Sequence, residues 1–265
     1  MKKILPLFLV LQLVLAGCDR EPQEMPEPSP VGGTISVRSQ GELSGEPRSA
    51  SSVRVDAVTR SVGDASLTYT FEAWTRDSAP RCVLHKTVAG TFTEALFDIA
   101  LVPGNYDFLF WADYGEGYYE TSDLREVGLS ATTYAPGSTR DAFSCALGNV
   151  RWEGGNGITA TLSRPLARLT VRNAVPFSGV KAVSVEYGGV PTRYDVLTGA
   201  ASAPQTLVLV FPNTSAGSAL VGEDFLFVPS DRSVALSVTV GGVVKTLDAL
   251  QLKPNHRTNV TATFE

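Results

Sequence analysis

The sequence contains few side chains that could act as a nucleophile, a general base or a metal ligand. His85 and His256 are the only histidines among 265 residues, and no HExxH, CxxC or Gly-x-Ser-x-Gly sequence accompanies them. No glycine-rich loop ends in Lys-Ser or Lys-Thr, so the usual phosphate-binding signature is missing as well. A pair of glycosidase carboxylates stays open, because such carboxylates meet in space rather than in sequence. We therefore expect a protein that is not an enzyme, with no catalytic residue, metal ion or cofactor.

Cys18 is the residue whose chemistry the sequence specifies most directly. Two lysines at positions 2 and 3 lead into an apolar run over residues 4–16, which is short for a membrane span. The run closes with Leu15-Ala16-Gly17-Cys18 and resembles the bacterial lipoprotein signal, in which the preceding segment is removed and the cysteine sulfur carries acyl chains such as palmitate. An ordinary secretory signal with a cysteine near the cleavage point is the alternative. We expect residues 1–17 to be a signal peptide and Cys18 to anchor the protein in a membrane.

The residues after Cys18 are typical of a tether rather than of a packed domain. Residues 19–30 intersperse prolines with glutamates, a composition that cannot bury apolar surface and favours extended backbone. We expect a flexible Pro/Glu-rich tether over residues 18–50. Acidic residues close after the cysteine resemble the surface-export signal of Bacteroidota lipoproteins, whereas Asp19 itself resembles an inner-membrane retention signal of other bacteria. The prediction is a lipid-anchored outer-membrane protein at the cell surface, with the leaflet left open.

The rest of the chain alternates apolar and polar residues with a period of two, which is typical of strands with one buried face. Glycine, proline and asparagine separate these short segments, and only residues 121–127 offer a short helix. Gly188-Gly189 and Gly241-Gly242 lie between β-rich segments and predict hairpin turns. Many short strands without a long helix predict an all-β protein built from antiparallel β-sandwiches.

Composition, charge and length limit the number of domains and the kinds of partner that the protein can have. A hydrophobic fraction of 43% can form real cores, and a net charge of −5 offers no basic surface for nucleic acid. A sandwich takes about 100 residues, so two fit after the tether. We place them at residues 51–161 and 162–265, with the glycine-rich residues 154–157 leading into the junction.

An aromatic segment over residues 108–119 is the densest unusual feature. Its first half predicts a strand that is apolar on both faces, and its second half is a glycine-containing loop. Trp111, Tyr114, Tyr118 and Tyr119 could form a ligand or partner site, because such rings combine a large contact area with little conformational entropy. Aromatic packing over the end of a sandwich is the alternative.

Two further features concern covalent chemistry. Asp77-Ser78-Ala79 resembles the short O-glycosylation signal of exported Bacteroidota proteins, which makes Ser78 a candidate glycosylation site. Cys82 and Cys145 are the cysteines that follow Cys18. Both a disulfide and two separate thiols are compatible with their spacing in an exported protein.

Several segments, taken in order, resemble a Bacteroidota family of fimbrillin-like lipoproteins. They are residues 104–108, 111–114, 121–124, 162–169, 190–199 and 254–260. Within them, Arg168 stands where the arginine-alanine-lysine strand of fimbrillins has lysine. The resemblance implies two transthyretin-like sandwiches in tandem, a lipidated precursor and a place in or near surface pili.

The same resemblance implies a route of assembly. In fimbrillins that polymerise, an arginine-specific protease removes the first strand, and the exposed groove accepts a strand from the next subunit. Arg48, Arg54 and Arg60 are the candidate cleavage sites, and the alternating residues 53–59 are the candidate removable strand. The sequence ends with its last alternating strand and no evident donor segment, so we expect an anchor or accessory subunit rather than a repeating shaft subunit.

Two functional hypotheses follow. The first is a structural and adhesive surface protein that pairs with other fimbrial subunits by strand addition. The alternative is a stand-alone surface lipoprotein that binds a glycan or a host protein through the aromatic loop.

Overall fold

In this computed structural model, which describes residues 28–39, 66–91 and 94–264, all regular structure is β-strand apart from a 3₁₀ turn at Ser138–Arg140. The all-β sandwich prediction is therefore confirmed. The strands of the first half are β1 (Val31–Ser39), β2 (Ser66–Thr75), β3 (Cys82–Thr91), β4 (Ala95–Leu101), β5 (Gly104–Asp113), β6 (Tyr119–Glu120), β7 (Val127–Leu129), β8 (Ala142–Trp152) and β9 (Gly155–Leu162). Those of the second half are β10 (Leu166–Asn173), β11 (Val183–Asp195), β12 (Ala200–Phe211), β13 (Leu220–Phe227), β14 (Arg232–Val240), β15 (Val243–Leu252) and β16 (Arg257–Ala262).

Two sheets form the first sandwich. Four strands are antiparallel neighbours in the order β3-β2-β5-β8, and three form the order β4-β1-β9. β1 lies in the middle of the smaller sheet, antiparallel to β4 and parallel to β9. Aromatic residues fill the space between the sheets, since the ring of Phe71 lies 5.0 to 5.5 Å from those of Phe97, Phe108 and Phe110.

The second sandwich repeats this topology strand for strand. β10 lies between β13, to which it is antiparallel, and β16, to which it is parallel. In the facing sheet β11 pairs with β12 and β14, and β14 pairs with β15. β10 is therefore the structural counterpart of β1. Residues 174–182 connect β10 to β11, whereas residues 40–65 lie between β1 and β2.

A short hairpin joins the two sandwiches. β6 and β7 come from the connection between β5 and β8, pair with each other, and then add to β11, where Val127 is the partner of Tyr194. The predicted division between residues 161 and 162 falls within β9, before its last residue Leu162, which belongs to the first core. The hairpin of β6 and β7 lies before this division and pairs with β11 after it.

An apolar cluster lies between the sandwiches, in addition to the core within each. Leu109 and Trp111 project from the face of β5 opposite to the first core, and they pack with Tyr194, Phe225 and Phe227. The indole of Trp111 is fully buried, and the clustered rings around it include that of Phe227 at 6.4 Å. Residues on both sides of β5 are thus buried, as the apolar pattern of this strand predicted.

Three local predictions were wrong, each because pairing with distant residues overrides a local signal. Val31–Ser39, which the sequence assigned to the tether, form β1. Residues 121–127 form a turn into β7 instead of a short helix, and the Leu124 N–H donates to Oε2 of Glu72 at 3.0 Å. Gly188-Gly189 lie within β11 at a shift in register rather than in a hairpin, whereas Gly241-Gly242 do form the predicted turn, with φ of 56° and 88°.

Candidate functional site

The residues that the sequence linked to lipidation and cleavage lie outside the described residues. They are Cys18, Arg48, Arg54 and Arg60, and the alternating residues 53–59 lie there as well. Their roles stay predictions. Within the described ranges, no helix combines the length and apolarity needed to span a bilayer.

Ser78 lies in the exposed turn between β2 and β3, where Oδ1 of Asp77 accepts a hydrogen bond from the Ala79 N–H at 2.9 Å. An exposed hydroxyl at a turn is accessible to a modifying enzyme, and glycosylation of Ser78 stays a prediction. Cys82 and Cys145 are both free thiols. They belong to β3 and β8, the two outer strands of the same sheet.

The four aromatic residues of the candidate binding loop are not gathered on a surface. Trp111 is fully buried and Tyr119 is 7% exposed, with ring centroids 5.2 Å apart in an edge-to-face contact. The Tyr119 hydroxyl donates to the carbonyl oxygen of Arg140. Tyr118 is half-buried against the cluster between the sandwiches, and Tyr114 packs against the first core instead. Packing, mostly in the cluster between the two sandwiches, therefore accounts for most of this aromatic surface.

Each histidine lies against an oxygen acceptor, a buried carboxylate for His85 and a backbone carbonyl for His256. Nδ1 of His85 lies 2.9 Å from Oε1 of Glu72, a carboxylate that is 1% exposed. Oε2 of the same carboxylate accepts hydrogen bonds from the Trp74 indole at 2.7 Å and from the Leu124 N–H. Both carboxylate oxygens are thus occupied: Oε1 by His85 of β3, and Oε2 by the turn that contains Leu124 and by Trp74. His256 lies in the second sandwich, with Nδ1 2.7 Å from the carbonyl oxygen of Pro254.

The thiol near this carboxylate is not activated. Burial, together with the nearby Glu72 charge, raises the pKa of Cys82 to about 11, so the nucleophilic thiolate is scarce at neutral pH. Among the described residues, no group of three or more histidine, cysteine, aspartate or glutamate side chains could hold a metal ion.

β1 lies between β4 and β9 and contributes side chains to the first core. Its inward side chains Ile35 and Val37 are completely buried in the first core. In the register with β4, Ile35 faces Phe97 and Val37 faces Ala95, while on the other side Ile35 is the partner of Ile158. Each of these two side chains contributes about 1.5–3 kcal/mol by leaving water.

The polar contacts of β1 lie along its edges and are mostly exposed. Thr34 Oγ1 donates to Oδ1 of Asp98 at 3.0 Å, and Arg38 Nε donates to Oγ1 of Thr161 at 3.1 Å. Exposed contacts of this kind contribute little. The strand is therefore held by its two ladders of backbone hydrogen bonds and by its buried side chains.

One end of β1 passes under a tryptophan that the sequence analysis did not single out. The Trp152 side chain is 2% exposed, and its indole N–H donates to the carbonyl oxygen of Val31 at 3.2 Å. Its ring also makes an edge-to-face contact with Phe108, with centroids 6.1 Å apart. Gly33 lies directly beneath this indole. In the sequence, the only indication of this strand was weak, consisting of Gly32-Gly33 followed by Ile35 and Val37 at alternate positions.

Comparison with known proteins places this arrangement in context. A family model described as a family of unknown function (DUF6562) matches residues 34–264, and no curated protein matches the chain. A proposed polysaccharide-binding protein (DUF1812) from Bacteroides thetaiotaomicron has a similar structure, with a TM-score of 0.54 and 10% identity over 84% of this chain and 80% of that chain. A proposed adhesin from Bacteroides ovatus gives 0.51 and 10% over 83% and 77%.

A third solved structure is the fimbrial anchor protein Mfa2 from Porphyromonas gingivalis, with a TM-score of 0.50 and 14% identity over 83% of this chain and 82% of that chain. At such identities the likeness concerns the fold alone. The fold is the one expected from the resemblance of the sequence motifs to fimbrillin-like proteins.

Proposed function

The chain belongs to the DUF6562 family of unknown function, and we propose that this member is a lipid-anchored, fimbrillin-like structural and adhesive protein of the cell surface. Within that role it is an anchor or accessory pilus subunit that pairs with other fimbrial subunits by strand addition. The names of its structural neighbours, an adhesin and a fimbrial anchor protein, are consistent with this role.

The observation that carries the proposal is the way β1 is attached. β1 lies in the middle of a sheet and contributes Ile35 and Val37 to the first core, and residues 40–65 separate it from β2, the next strand that the structure describes. Its counterpart β10 is joined to β11 by residues 174–182. A separation as long as that between β1 and β2 is uncommon within a compact domain, and segments of this length are usually either functional or linkers. All three candidate cleavage sites, Arg48, Arg54 and Arg60, fall in it.

Cleavage in this connection has a defined structural consequence. It breaks the covalent link between β1 and the body while leaving every strand pair intact. β1 is then held only by noncovalent contacts, so another strand of similar shape can replace it. Loss of β1 without replacement would expose two unpaired edges, those of β4 and β9, and such edges favour pairing with another chain.

After cleavage in residues 40–65, the lipid on Cys18 would remain on the fragment that contains β1, and not on the body. The predicted anchor at Cys18 precedes β1, so an uncut chain stays attached to the membrane with its groove filled. A cut chain can leave the membrane by exchanging β1. This relation supports an anchor or accessory role for the uncut protein.

Arginine-specific proteolysis tests strand exchange directly. We expect purified full-length protein, cut within residues 40–65, to exchange its β1 fragment with that of an isotope-labelled cut sample, which native mass spectrometry detects as mixed complexes. The matched control is a chain with Arg48→Gln, Arg54→Gln and Arg60→Gln, which keeps the exposed arginines of the body and should exchange no β1. A chain shown by mass spectrometry to be cut in this segment, yet still holding its original β1 fragment after days of incubation, would contradict the proposal.

Anchoring is tested separately. We expect Cys18→Ser to abolish incorporation of labelled palmitate and to move the protein from the membrane pellet to the soluble fraction. Two or three acyl chains are needed for firm attachment, so the shift should be nearly complete. Cys82→Ser serves as the matched control and should still be labelled. Unchanged pelleting of the Cys18→Ser variant would mean that something other than a lipid holds the protein.

A further inference from the structure

We propose that the groove around β1 selects the strand that it accepts, and that it requires glycine at the position of Gly33. This inference rests on the proposed strand exchange and identifies the chemistry of the incoming partner. The partner is an extended segment of another subunit, with glycine followed at alternate positions by two β-branched residues. β1 itself has this order in Gly33, Ile35 and Val37.

The requirement follows from the space around Gly33. A Cβ atom on this residue would lie 2.0 Å from the carbonyl oxygen of Gly155 and 2.6 Å from Cη2 of the Trp152 ring. Both distances are far inside van der Waals contact, and Cβ atoms essentially never come within 3.0 Å of another group. The neighbouring Gly32 is different, because its nearest atom would be the carbonyl oxygen of Ile99 at 3.8 Å, an ordinary contact.

The clash at Gly33 cannot be relieved by a small rearrangement. The closest atom belongs to the backbone of β9, the strand parallel to β1, where Gly33 and Gly155 are partners. Directly before that strand, Gly154 also approaches closely, since a Cβ there would lie 3.0 Å from Cγ2 of Val31. Gly154 and Gly155 both have positive φ, of 86° and 87°. The two strands therefore pass each other at a crossing of glycines that no side chain can enter.

The Trp152 ring closes this crossing from the core side. The ring is buried, packs against Phe108 and donates to the carbonyl oxygen of Val31. Moving it aside would break a hydrogen bond and open a cavity in the aromatic core, which costs several kcal/mol for a large ring.

The positions after Gly33 require apolar bulk instead. Ile35 and Val37 are fully buried, and β-branched residues suit such strand positions. The second sandwich shows a similar order, with Ala167, Leu169 and Val171 buried along β10. There the small residue is alanine, so the need for glycine belongs to the first sandwich and to its close crossing.

A peptide experiment tests selection by the groove. The full-length chain is cut within residues 40–65, the protease is inhibited, and a fluorescent peptide of residues 28–39 is added. Two matched peptides carry Gly32→Val or Gly33→Val and are identical in composition. We expect binding by anisotropy for the native and the Gly32→Val peptides within about threefold, and at least about 30-fold weaker binding for Gly33→Val, which corresponds to about 2 kcal/mol. Equal binding of the two variant peptides would overturn the inference.

A second measurement keeps the inference separate from strand exchange. If no peptide binds, the cut chain does not exchange β1 and the proposed function fails. The requirement for glycine can still be tested, because the same two substitutions can be made in the uncut chain. Gly33→Val should then lower the thermal midpoint of unfolding by several degrees more than Gly32→Val. Equal midpoints would show that the crossing tolerates a side chain and would refute the requirement for glycine.

Discussion

Replacing Trp111 by alanine is expected to lower the free energy of unfolding by about 3–5 kcal/mol, the usual cost of deleting a large buried ring. The indole is fully buried between the sandwiches, and its ring contacts those of Tyr119, Tyr194 and Phe227. Its N–H also donates to Oδ2 of Asp113 at 2.7 Å. Because this cluster joins the two sandwiches, we expect them to unfold in one transition in the unmodified protein. In the variant this transition should broaden or split, since the contact between the sandwiches is weaker. Denaturant unfolding followed by circular dichroism measures both effects.

Tyr114→Ala is the matched control, from the same aromatic segment. Tyr114 is half-buried at the first core, so we expect its loss to cost clearly less than the loss of Trp111. The comparison also decides between packing and ligand binding. If Trp111→Ala left stability unchanged and instead abolished binding to a glycan array, the aromatic segment would be a binding site after all.

The sequence predicted the burial of Trp111 only in part. The uninterrupted apolar run from Phe108 to Trp111 indicated that both faces of β5 are apolar, which is a local property of the strand. What the second face meets depends on Tyr194 and Phe227, more than 80 residues further on. Local periodicity carries no information about such a contact, so the pattern left open both packing over the end of a sandwich and a ligand site.

The candidate site around β1 was harder to predict than the fold class, because β1 forms a strand by pairing with residues that are distant in the sequence. Pairs such as Thr34 with Asp98, and Arg38 with Thr161, join residues 64 and 123 positions apart. The prolines and glutamates before residue 31 are typical of a tether, and the composition changes only gradually into the strand. From composition, residues 31–39 are therefore assigned to the tether, whereas in the structure Val31–Ser39 form β1. The candidate removable strand over residues 53–59 lies outside the described residues and stays a prediction.

Glycine pairs predicted a turn correctly where the two adjoining strands pair with each other. They did not where another strand pairs across the glycines. Gly241 and Gly242 both adopt the positive φ that a two-residue hairpin needs. Gly188-Gly189 has a similar local sequence, but β12 continues past it and pairs with both halves of β11. The glycines there accommodate a bulge, in which an extra residue enters one strand of a pair.

Replacing Arg140 by methionine is expected to lower the free energy of unfolding by about 3–5 kcal/mol, because it leaves the carboxylate of Asp224 buried without its partner. The side chains of this ion pair are 2% and 0% exposed. The guanidinium also donates to the carbonyl oxygen of Phe225 at 3.0 Å and lies 3.4 Å from the ring centroid of Tyr134. An exposed pair offers the matched control, since Arg193 contacts Glu120 at 3.3 Å with both side chains partly in water. Arg193→Met should cost less than about 1 kcal/mol.

The loss in the Arg140→Met variant should depend on pH in a defined direction. Burial raises the pKa of Asp224, and the charge of Arg140 opposes this rise. Without Arg140 the folded-state pKa of Asp224 rises further above the unfolded value of about 3.9. An acid with a raised pKa binds its proton more tightly in the folded state, so folding loses stability as the pH increases through that pKa. The deficit of the variant should therefore be smallest near pH 4 and grow toward neutral pH.

A second substitution separates the unpaired charge from lost packing. Adding Asp224→Asn to Arg140→Met removes the buried charge while keeping the size of the side chain, and an amide oxygen can still accept from the Tyr134 hydroxyl, now 2.9 Å from Oδ2 of Asp224. We expect the double variant to regain most of the lost stability at pH 7 and to show little of the pH dependence. If the double variant were no more stable than Arg140→Met at pH 7, and if the deficit of both variants were the same at every pH, the loss would come from the packing of the arginine side chain against Tyr134 and the backbone. The buried charge would then play no part in holding the sandwiches together.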